Sequence, residues 1–229
     1  MSRGVFITGT GTDVGKTFVS ALMVKKLREC GINAGYYKAA LSGADLVENK
    51  LVPGDAAYVC RTAAIPAEPE SLVSYVYQAA VSPHLAAKLE GNPLCMETVV
   101  RDFQGLCRRF DYLTVEGSGG IVCPLRRDAK SIMLTDVIKA LSLGVVIVSS
   151  SALGSINNAV LTAEYLSARG IKANGFILNN YDKDNFLHAD NGREITALTG
   201  LPIICTVRAG DSALDIDSEL LKSCYGEVM

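Results

Sequence analysis

The chain has 229 residues, of which 49% are hydrophobic and 20% are charged, and its net charge at pH 7 is −2. This length suits one α/β domain with a substantial core, so we expect a single domain over residues 1–229, and the near-neutral charge provides no basic field for nucleic acid. Seven scattered cysteines, no signal peptide and no stretch long enough to span a bilayer predict a reduced, cytoplasmic protein with no membrane partner.

The first motif is a glycine-rich loop between a predicted strand and a predicted helix. The apolar residues 5–7 lead into TGTGTDVGKT, and a helical pattern follows to about residue 30. Glycines let successive backbone N–H groups turn toward polyphosphate oxygens, and the positive end of the following helix adds to their field. Lys16 would then reach the β- and γ-phosphates, and the Thr17 hydroxyl would bind Mg²⁺. Thr10 replaces the usual first glycine, so this is a variant phosphate loop.

A lysine follows the second predicted strand, at residues 33–37. At the carboxyl end of a strand in an open parallel sheet, Lys38 would point into the crevice where ligands bind. The alternative is an ordinary solvated lysine. The next segment, residues 44–54, is polar and is expected to be irregular.

Two short helices and a loop come next. Asp55 begins a predicted helix that ends near residue 61, either as its N-cap or as an acid of the site. Residues 63–82 contain several prolines and are expected to form a loop. A second helix would then start with Ser82 as cap and Pro83 at its first position.

The rest of the chain alternates predicted helices with predicted strands. Helices are expected at about 96–110, 134–143, 156–169, 190–199 and 212–224, and strands at 112–115, 144–149, 174–178 and 202–206. The strands are continuously apolar, which is typical of a parallel sheet covered on both faces. The predicted fold is therefore an α/β P-loop NTPase fold, with a largely parallel sheet and helices on both faces.

Polar side chains follow four of these strands. Lys16 and Thr17 follow the first, Lys38 the second, Glu116 the strand at 112–115 and Asn179 a later one. Because the carboxyl ends of parallel strands share one edge, these groups would form a site for Mg²⁺ and a nucleoside triphosphate. Glu116 precedes the turn GSGG, so it is either a second acid of a phosphoryl-transfer site or incidental to a turn that needs glycine.

Several segments together resemble the dethiobiotin synthetase family. They are GTGTDVGKT, YYKAALSG, GDA, SPHLAA, VEGSGGIVCPL, LGSINNAVLT and GFILNN, and the resemblance extends from residue 5 to about 210. It implies a homodimeric, Mg²⁺-dependent ligase that uses ATP. In such an enzyme 7,8-diaminopelargonate takes up CO₂ as a carbamate, ATP phosphorylates the carbamate, and the second amine displaces phosphate to close the ring of dethiobiotin.

The resemblance also implies a role for each matching residue. Lys38 and Lys16 would be catalytic; Ser42, Thr12 and Ser155 would bind the substrate; Thr17, Asp55 and Glu116 would bind Mg²⁺. The nucleotide would be bound by Asp13, Val14, Gly15, Lys16, Thr17, Phe18, Asp55, Glu116, Gly117, Ser118, Gly119, Asn179, Asn180, Arg208, Ala209 and Gly210, with Asn179 at the base. The loop at residues 150–157 would lie near the partner subunit's substrate, where backbone N–H groups could hold its carboxylate.

The chain departs from the family pattern at two places. Ala39 stands where the family has a proline, and ICTVR replaces a Gly-x-Val-Pro turn at residues 204–208. The second change lies where the adenine and ribose would be contacted, and so bears on the choice among nucleotides.

Three other classes of protein fit less well. A partner-switching P-loop ATPase carries an additional lysine near the start of its loop and often a basic C-terminal helix, whereas this loop begins with Thr8 and Gly9 and the tail SELLKSCYGEVM is not basic. The amidating enzymes of corrin synthesis need a glutaminase domain, for which we expect no room. A non-catalytic nucleotide-binding module would not need Lys38, Ser42 and VEGSGG together.

Overall fold

The computed structural model describes residues 2–228. Its strands are β1 (Arg3–Gly9), β2 (Ala34–Ser42), β3 (Asp45–Val47), β4 (Lys50–Val52), β5 (Val73–Tyr77), β6 (Tyr112–Glu116), β7 (Pro124–Arg127), β8 (Ser131–Met133), β9 (Val145–Ser150), β10 (Ala173–Asn179), β11 (Ile203–Val207) and β12 (Gly226–Glu227). Its α-helices are α1 (Lys16–Glu29), α2 (Gly54–Ala63), α3 (Pro83–Leu89), α4 (Met96–Cys107), α5 (Leu134–Ala140), α6 (Ser155–Ser167), α7 (Phe186–Thr199) and α8 (Ser218–Ser223).

The central sheet confirms the predicted largely parallel arrangement. Its strands lie in the order β11-β10-β9-β1-β6-β2-β5, with β12 added antiparallel to the start of β1. Each neighbouring pair along that order is parallel. Two small antiparallel hairpins, β3–β4 and β7–β8, lie outside it. The three strands that carry the candidate site, β1, β6 and β2, are therefore neighbours in the middle of the sheet.

Helices cover both faces of this sheet, as the alternation of side chains along β2 shows. Successive residues of a strand point to opposite faces. Tyr37 hydrogen-bonds the Val99 carbonyl of α4, whereas Lys38 contacts Asp55 of α2. Both faces are thus buried, which explains why the strands are continuously apolar in sequence.

The prediction of a loop over residues 63–82 was wrong. The segment contains a 3₁₀ helix, Pro69–Leu72, and then β5, which pairs with β2 at the edge of the sheet. Its sequence VSYVY alternates buried and half-buried residues, as expected for an edge strand. Prolines flank this five-residue alternation on both sides, and they favoured the prediction of a loop over that of a strand.

Other element boundaries also differ from the predicted ones. β2 extends to Ser42, so Lys38 lies within the strand rather than after it. Residues 44–54 contain the β3–β4 hairpin, although they were expected to be irregular. The N-cap of α2 is Pro53, so Asp55 is not a cap. α7 begins at Phe186 rather than at about 190, and α8 is limited to Ser218–Ser223 instead of spanning 212–224.

No helix within residues 2–228 is both long enough and apolar enough to cross a membrane.

Candidate active site

The phosphate loop connects β1 to α1 and has a backbone that only glycine accommodates at one point. Gly15, the N-cap of α1, has φ +93°, and a Cβ there would lie 2.0 Å from Nδ2 of Asn179. A side chain at this position would be strained and would also collide with Asn179. Gly15 therefore lets the loop turn tightly over the end of β10 and into the helix.

Lys16 folds back over this loop. Its Nζ donates a hydrogen bond to the carbonyl oxygen of Gly11 at 3.0 Å, and the residue is 7% exposed. Burial lowers the pKa of Lys16, and the nearby charge of Lys38 acts in the same direction, while Glu116, Asp55 and Asp13 oppose the shift. Burial dominates because Lys16 has a backbone carbonyl but no carboxylate within ion-pair distance among the described residues.

Glu116 is the centre of the polar contacts in the site. Its Oε1 accepts hydrogen bonds from the Thr17 hydroxyl at 2.8 Å and from Lys38 Nζ at 2.9 Å. Its Oε2 accepts one from the Tyr36 hydroxyl at 2.8 Å. The contacts follow from the sheet, because the register of β2 and β6 places Lys38 directly beside Glu116. This carboxylate is almost fully buried and accepts three hydrogen bonds from side chains.

Lys38 is held between two carboxylates. In addition to Glu116, its Nζ donates to Oδ2 of Asp55 from the first turn of α2. Burial by itself would lower the pKa of Lys38, but the charges and hydrogen bonds of Glu116 and Asp55 outweigh burial and raise it. Lys38 therefore carries a stable positive charge, and the alternative of an ordinary solvated lysine was wrong.

These groups open onto one cleft of about 640 Å³. Its walls are formed by Thr12, Asp13, Gly15, Lys16, Thr17, Phe18, Lys38, Leu41, Ser42, Asp55, Tyr58, Glu116, Ser118 and Gly119. The structure thus brings together most of the residues predicted for phosphate, metal and substrate. Ser118 is tied to the strand beside it, because its hydroxyl donates to the Ala40 carbonyl oxygen at 2.6 Å.

The other predicted residues lie outside the cleft walls. Val14 and Gly117 belong to the same two loops, and Gly117 packs against the Phe6 ring. Asn180 and the loop Arg208, Ala209 and Gly210 are exposed at the ends of β10 and β11. Ser155 begins α6 and is 4% exposed, and its N–H donates to the Ala152 carbonyl oxygen. The described residues leave the Ser155 hydroxyl unpartnered.

Asn179 lies beneath the phosphate loop. It is 3% exposed, and its Nδ2 donates to the Val14 carbonyl oxygen at 3.0 Å. Its Oδ1 is also buried and finds no hydrogen-bond partner among residues 2–228. A buried acceptor without a donor is costly, which sets this oxygen apart from the hydrogen-bonded Nδ2 of the same side chain.

Sequence reasoning missed three residues of the site. Tyr36 bonds Glu116, and Leu41 and Tyr58 line the cleft. Tyr36 lies two residues before Lys38 on the same strand, so the period of two already placed it on the same face. Tyr58 lies three residues after Asp55, which is one turn along α2.

The oxygens of this site suit Mg²⁺ bound together with a nucleotide. Thr17 supplies a hydroxyl and Asp55 and Glu116 supply carboxylates, all of which are hard oxygen ligands. Within residues 2–228 no cluster of three or more His, Cys, Asp or Glu residues could hold a metal alone. Magnesium is usually bound by one or two carboxylates plus substrate phosphates, so the residues present fit it in that form.

Two comparisons with known sequences give consistent results. A family model described as an AAA domain matches residues 3–212. A protein of Clostridium botulinum named ATP-dependent dethiobiotin synthetase BioD is 51% identical over 225 residues, covering 98% of this chain and 99% of that protein. A relative of the same name from the Loch Maree strain is 45% identical over 228 residues, covering 100% of both chains.

Solved structures support the fold. The chain is similar to a ParA family ATPase from Chlorobium tepidum, with a TM-score of 0.58 and 14% identity over 98% of this chain and 89% of that one. It is also similar to the septum site-determining protein MinD with Mg-ADP from Pyrococcus horikoshii, with a TM-score of 0.55 and 15% identity over 91% and 82% of the two chains. Similarity at such low sequence identity supports a shared fold and nothing further. The full-length sequence relatives at 45% and 51% identity decide the family, and the chain belongs to the ATP-dependent dethiobiotin synthetases, ligases of biotin biosynthesis.

Proposed function

We propose that the chain converts 7,8-diaminopelargonate and CO₂ into dethiobiotin, using Mg²⁺ and ATP and passing through a carbamate and a carbamic-phosphoric anhydride. One observation carries this proposal: the charged Lys38 lies buried in the same cleft as the phosphate loop, between Asp55 and Glu116. A cation fixed beside the phosphate-binding loop is suited to stabilise oxygens that gain negative charge during phosphoryl transfer.

The proposed reaction has three steps. One amine of the substrate attacks CO₂, forms a C–N bond and loses a proton to give the carbamate. A carbamate oxygen attacks the γ-phosphorus of ATP, and ADP leaves. The second amine then attacks the carbamoyl carbon, loses a proton and expels inorganic phosphate, which closes the urea ring.

The residues of the chain position these groups and offset their charge. Lys16 offsets the negative charge of the β- and γ-phosphates, and Lys38 offsets the negative charge of the γ-phosphate and the carbamate oxygens. Neither lysine acts as a base. Ser42 and Thr12 contact the diamine. Thr17, Asp55 and Glu116 hold Mg²⁺, which when bound neutralises phosphate charge.

Asn179 is the residue proposed to recognise the base of the nucleotide. Its buried, unpartnered Oδ1 is an acceptor that the exocyclic amino group of adenine could satisfy. Arg208 and the two residues after it would lie beside the base and ribose, where they are exposed. Their difference from the family pattern leaves the strength of ATP preference to be measured against other nucleoside triphosphates.

A homodimer in which residues 150–157 reach the partner's substrate completes the proposal. Leu153 in this loop is 87% exposed and Leu161 on the following helix is 61% exposed, so the segment presents apolar surface. The N–H of Ser155 already donates to the Ala152 carbonyl oxygen, so Ser155 would contact the carboxylate through its unpartnered hydroxyl, beside the next N–H groups of α6. A Ser155 substitution that leaves the KM for diaminopelargonate unchanged would count against a direct role.

The remaining proposals concern location and domain organisation. The seven cysteines, all within residues 2–228, are free, which supports a reducing compartment such as the cytoplasm. One core cluster includes residues from the N-terminal strand to the last helix, which supports one P-loop domain over the chain.

The test is phosphate release from Mg·ATP with and without diaminopelargonate and bicarbonate, for the wild type and for Lys38→Ala. We expect release to require both co-substrates, to equal the dethiobiotin formed, and to fall about 10²–10³-fold in Lys38→Ala. Lys26→Ala, on the last turn of α1 and away from the cleft walls, is the matched control. Steady release that ignores the diamine would instead favour a partner-switching ATPase.

A further inference from the structure

The carboxylate of Glu116 uses its two oxygens differently. Oε1 accepts hydrogen bonds from Thr17 and Lys38, both of which line the cleft. Oε2 accepts one hydrogen bond, from the hydroxyl of Tyr36 at 2.8 Å. Tyr36 is 0% exposed. One oxygen therefore faces the ligand side of the site, and the other is held from inside the protein.

The position of Tyr36 follows from the pleat of β2. Tyr36 and Lys38 are two residues apart and share one face, whereas Tyr37 between them points to the other. In the parallel register Lys38 lies beside Glu116 and Tyr36 lies beside Thr114, one pleat further back. The long phenol ring covers that distance and ends at the carboxylate.

The contact between Tyr36 and Glu116 has a defined donor and acceptor. Burial, followed by the charges of Glu116 and Asp55, raises the pKa of Tyr36 well above its usual range. The phenol O–H is the donor of this hydrogen bond and Oε2 of Glu116 is the acceptor, because an ionised carboxylate can only accept.

The three donors of Glu116 differ in whether they can also contact a ligand in the cleft. In the function proposed above, on which this inference rests, the Thr17 oxygen would bind Mg²⁺ and Lys38 would offset charge on the reacting oxygens. The two donors of Oε1 thus face the ligand as well as Glu116. Tyr36 is sealed from the cleft, so its bond to Oε2 remains.

We propose that Tyr36 is a positioning residue that holds Oε2 of Glu116 and so presents Oε1 alone to the metal ion. A carboxylate restrained in this way binds an ion through one oxygen. Such binding suits Mg²⁺, which requires near-octahedral geometry at about 2.1 Å. Without the restraint the carboxylate can turn both oxygens to the ion, which the larger Ca²⁺ accepts at about 2.3–2.6 Å. Tyr36 thereby favours Mg²⁺ over Ca²⁺.

The experiment compares Tyr36→Phe with Tyr37→Phe. Both variants lose a buried hydroxyl from the same strand, but the Tyr37 hydroxyl bonds Ser74 and the Val99 carbonyl on the opposite face. The dissociation constant of a non-hydrolysable ATP analogue is measured by calorimetry with Mg²⁺, with Ca²⁺ and with EDTA. Thermal unfolding of each variant without ligand shows whether it is folded.

We expect Tyr36→Phe to weaken binding of the analogue with Mg²⁺ about 10-fold, the scale on which groups behind a metal ligand act. Binding with Ca²⁺ should weaken less, and binding in EDTA should be unchanged. Tyr37→Phe should leave all three constants unchanged. Tyr36→His, which keeps a ring N–H donor, should retain part of the preference for Mg²⁺ and serves as the second variant if Tyr36→Phe does not fold.

Three results would overturn the inference: wild-type affinity for the Mg²⁺ complex in Tyr36→Phe, equal losses with Mg²⁺ and Ca²⁺, or the same loss in Tyr37→Phe. A wild type whose affinity for the analogue ignores Mg²⁺ would contradict the proposed function itself. That result comes from the wild type alone, so failure of the proposed function can be distinguished from failure of the inference about Tyr36.

Discussion

The phosphate loop and the β2–β6 pair each contribute a buried lysine to the same cleft, yet the pKa values of the two lysines are shifted in opposite directions. Lys16 has a backbone carbonyl for a partner, and burial lowers its pKa. Lys38 is as deeply buried, but Asp55 and Glu116 raise its pKa. Two carboxylates compensate the charge of Lys38 in the absence of any ligand, whereas Lys16 has no carboxylate within ion-pair distance among the described residues. A polyphosphate would therefore supply the anion that Lys16 lacks.

The largest effect on stability should come from removing the compensated lysine. Lys38→Met leaves Glu116 buried without its cation, and breaking a buried ion pair costs about 3–5 kcal/mol of unfolding free energy. We expect a value near the lower end, because Asp55 is partly exposed and Thr17 and Tyr36 still bond Glu116. Urea denaturation of the ligand-free protein measures it.

A surface pair provides the control for that measurement. Lys222 and Glu219 form an exposed ion pair on α8, so Lys222→Met should leave the urea midpoint close to that of the wild type. If Lys38→Met were as stable as this control, the contacts of Lys38 with Asp55 and Glu116 would contribute no net stability.

The uncompensated lysine should matter for activity instead. Lys16→Met removes the cation expected to face the β- and γ-phosphates, so kcat/KM for ATP should fall about 10²–10³-fold, or ~2.7–4 kcal/mol. Ligand-free stability should not fall, because a desolvated charge is removed with little change in side-chain volume. Equal stability losses in Lys16→Met and Lys38→Met would contradict the comparison.

An anion should stabilise the phosphate loop through Lys16. Pyrophosphate at 100 times its dissociation constant should raise the unfolding free energy of the wild type by about 2.7 kcal/mol. At the same pyrophosphate concentration Lys16→Met should gain much less. Thermal shifts measured with chloride at matched ionic strength separate binding from screening.

The smallest effect is on the pH dependence of stability. Because the folded-state pKa of Lys16 lies below its ordinary value of 10.5, the protonated lysine opposes folding. That cost is fully present below the lowered pKa and disappears as pH rises toward 10.5. The stability of Lys16→Met relative to wild type should therefore be greatest near neutral pH and decline as pH rises. A difference that grows with pH would show that the pKa of Lys16 is not lowered.

Much of the site was predictable because its residues lie next to recognisable local patterns. The glycine-rich loop before Lys16 and Thr17 is encoded within ten residues, and Glu116 directly precedes its own glycine turn. The parallel sheet was also predictable, since strands buried on both faces are apolar throughout. These features depend on residue type and short-range period, which a single sequence contains.

The tertiary structure alone decided which groups meet. Strand order places β6 between β1 and β2, which brings Thr17, Lys38 and Tyr36 to one carboxylate across 78 to 99 residues of chain. It also places Asn179 beneath Gly15, and it makes β5 a strand where flanking prolines suggested a loop. Pairing energies between distant segments determine these contacts, and no local pattern in the sequence records which strands become neighbours.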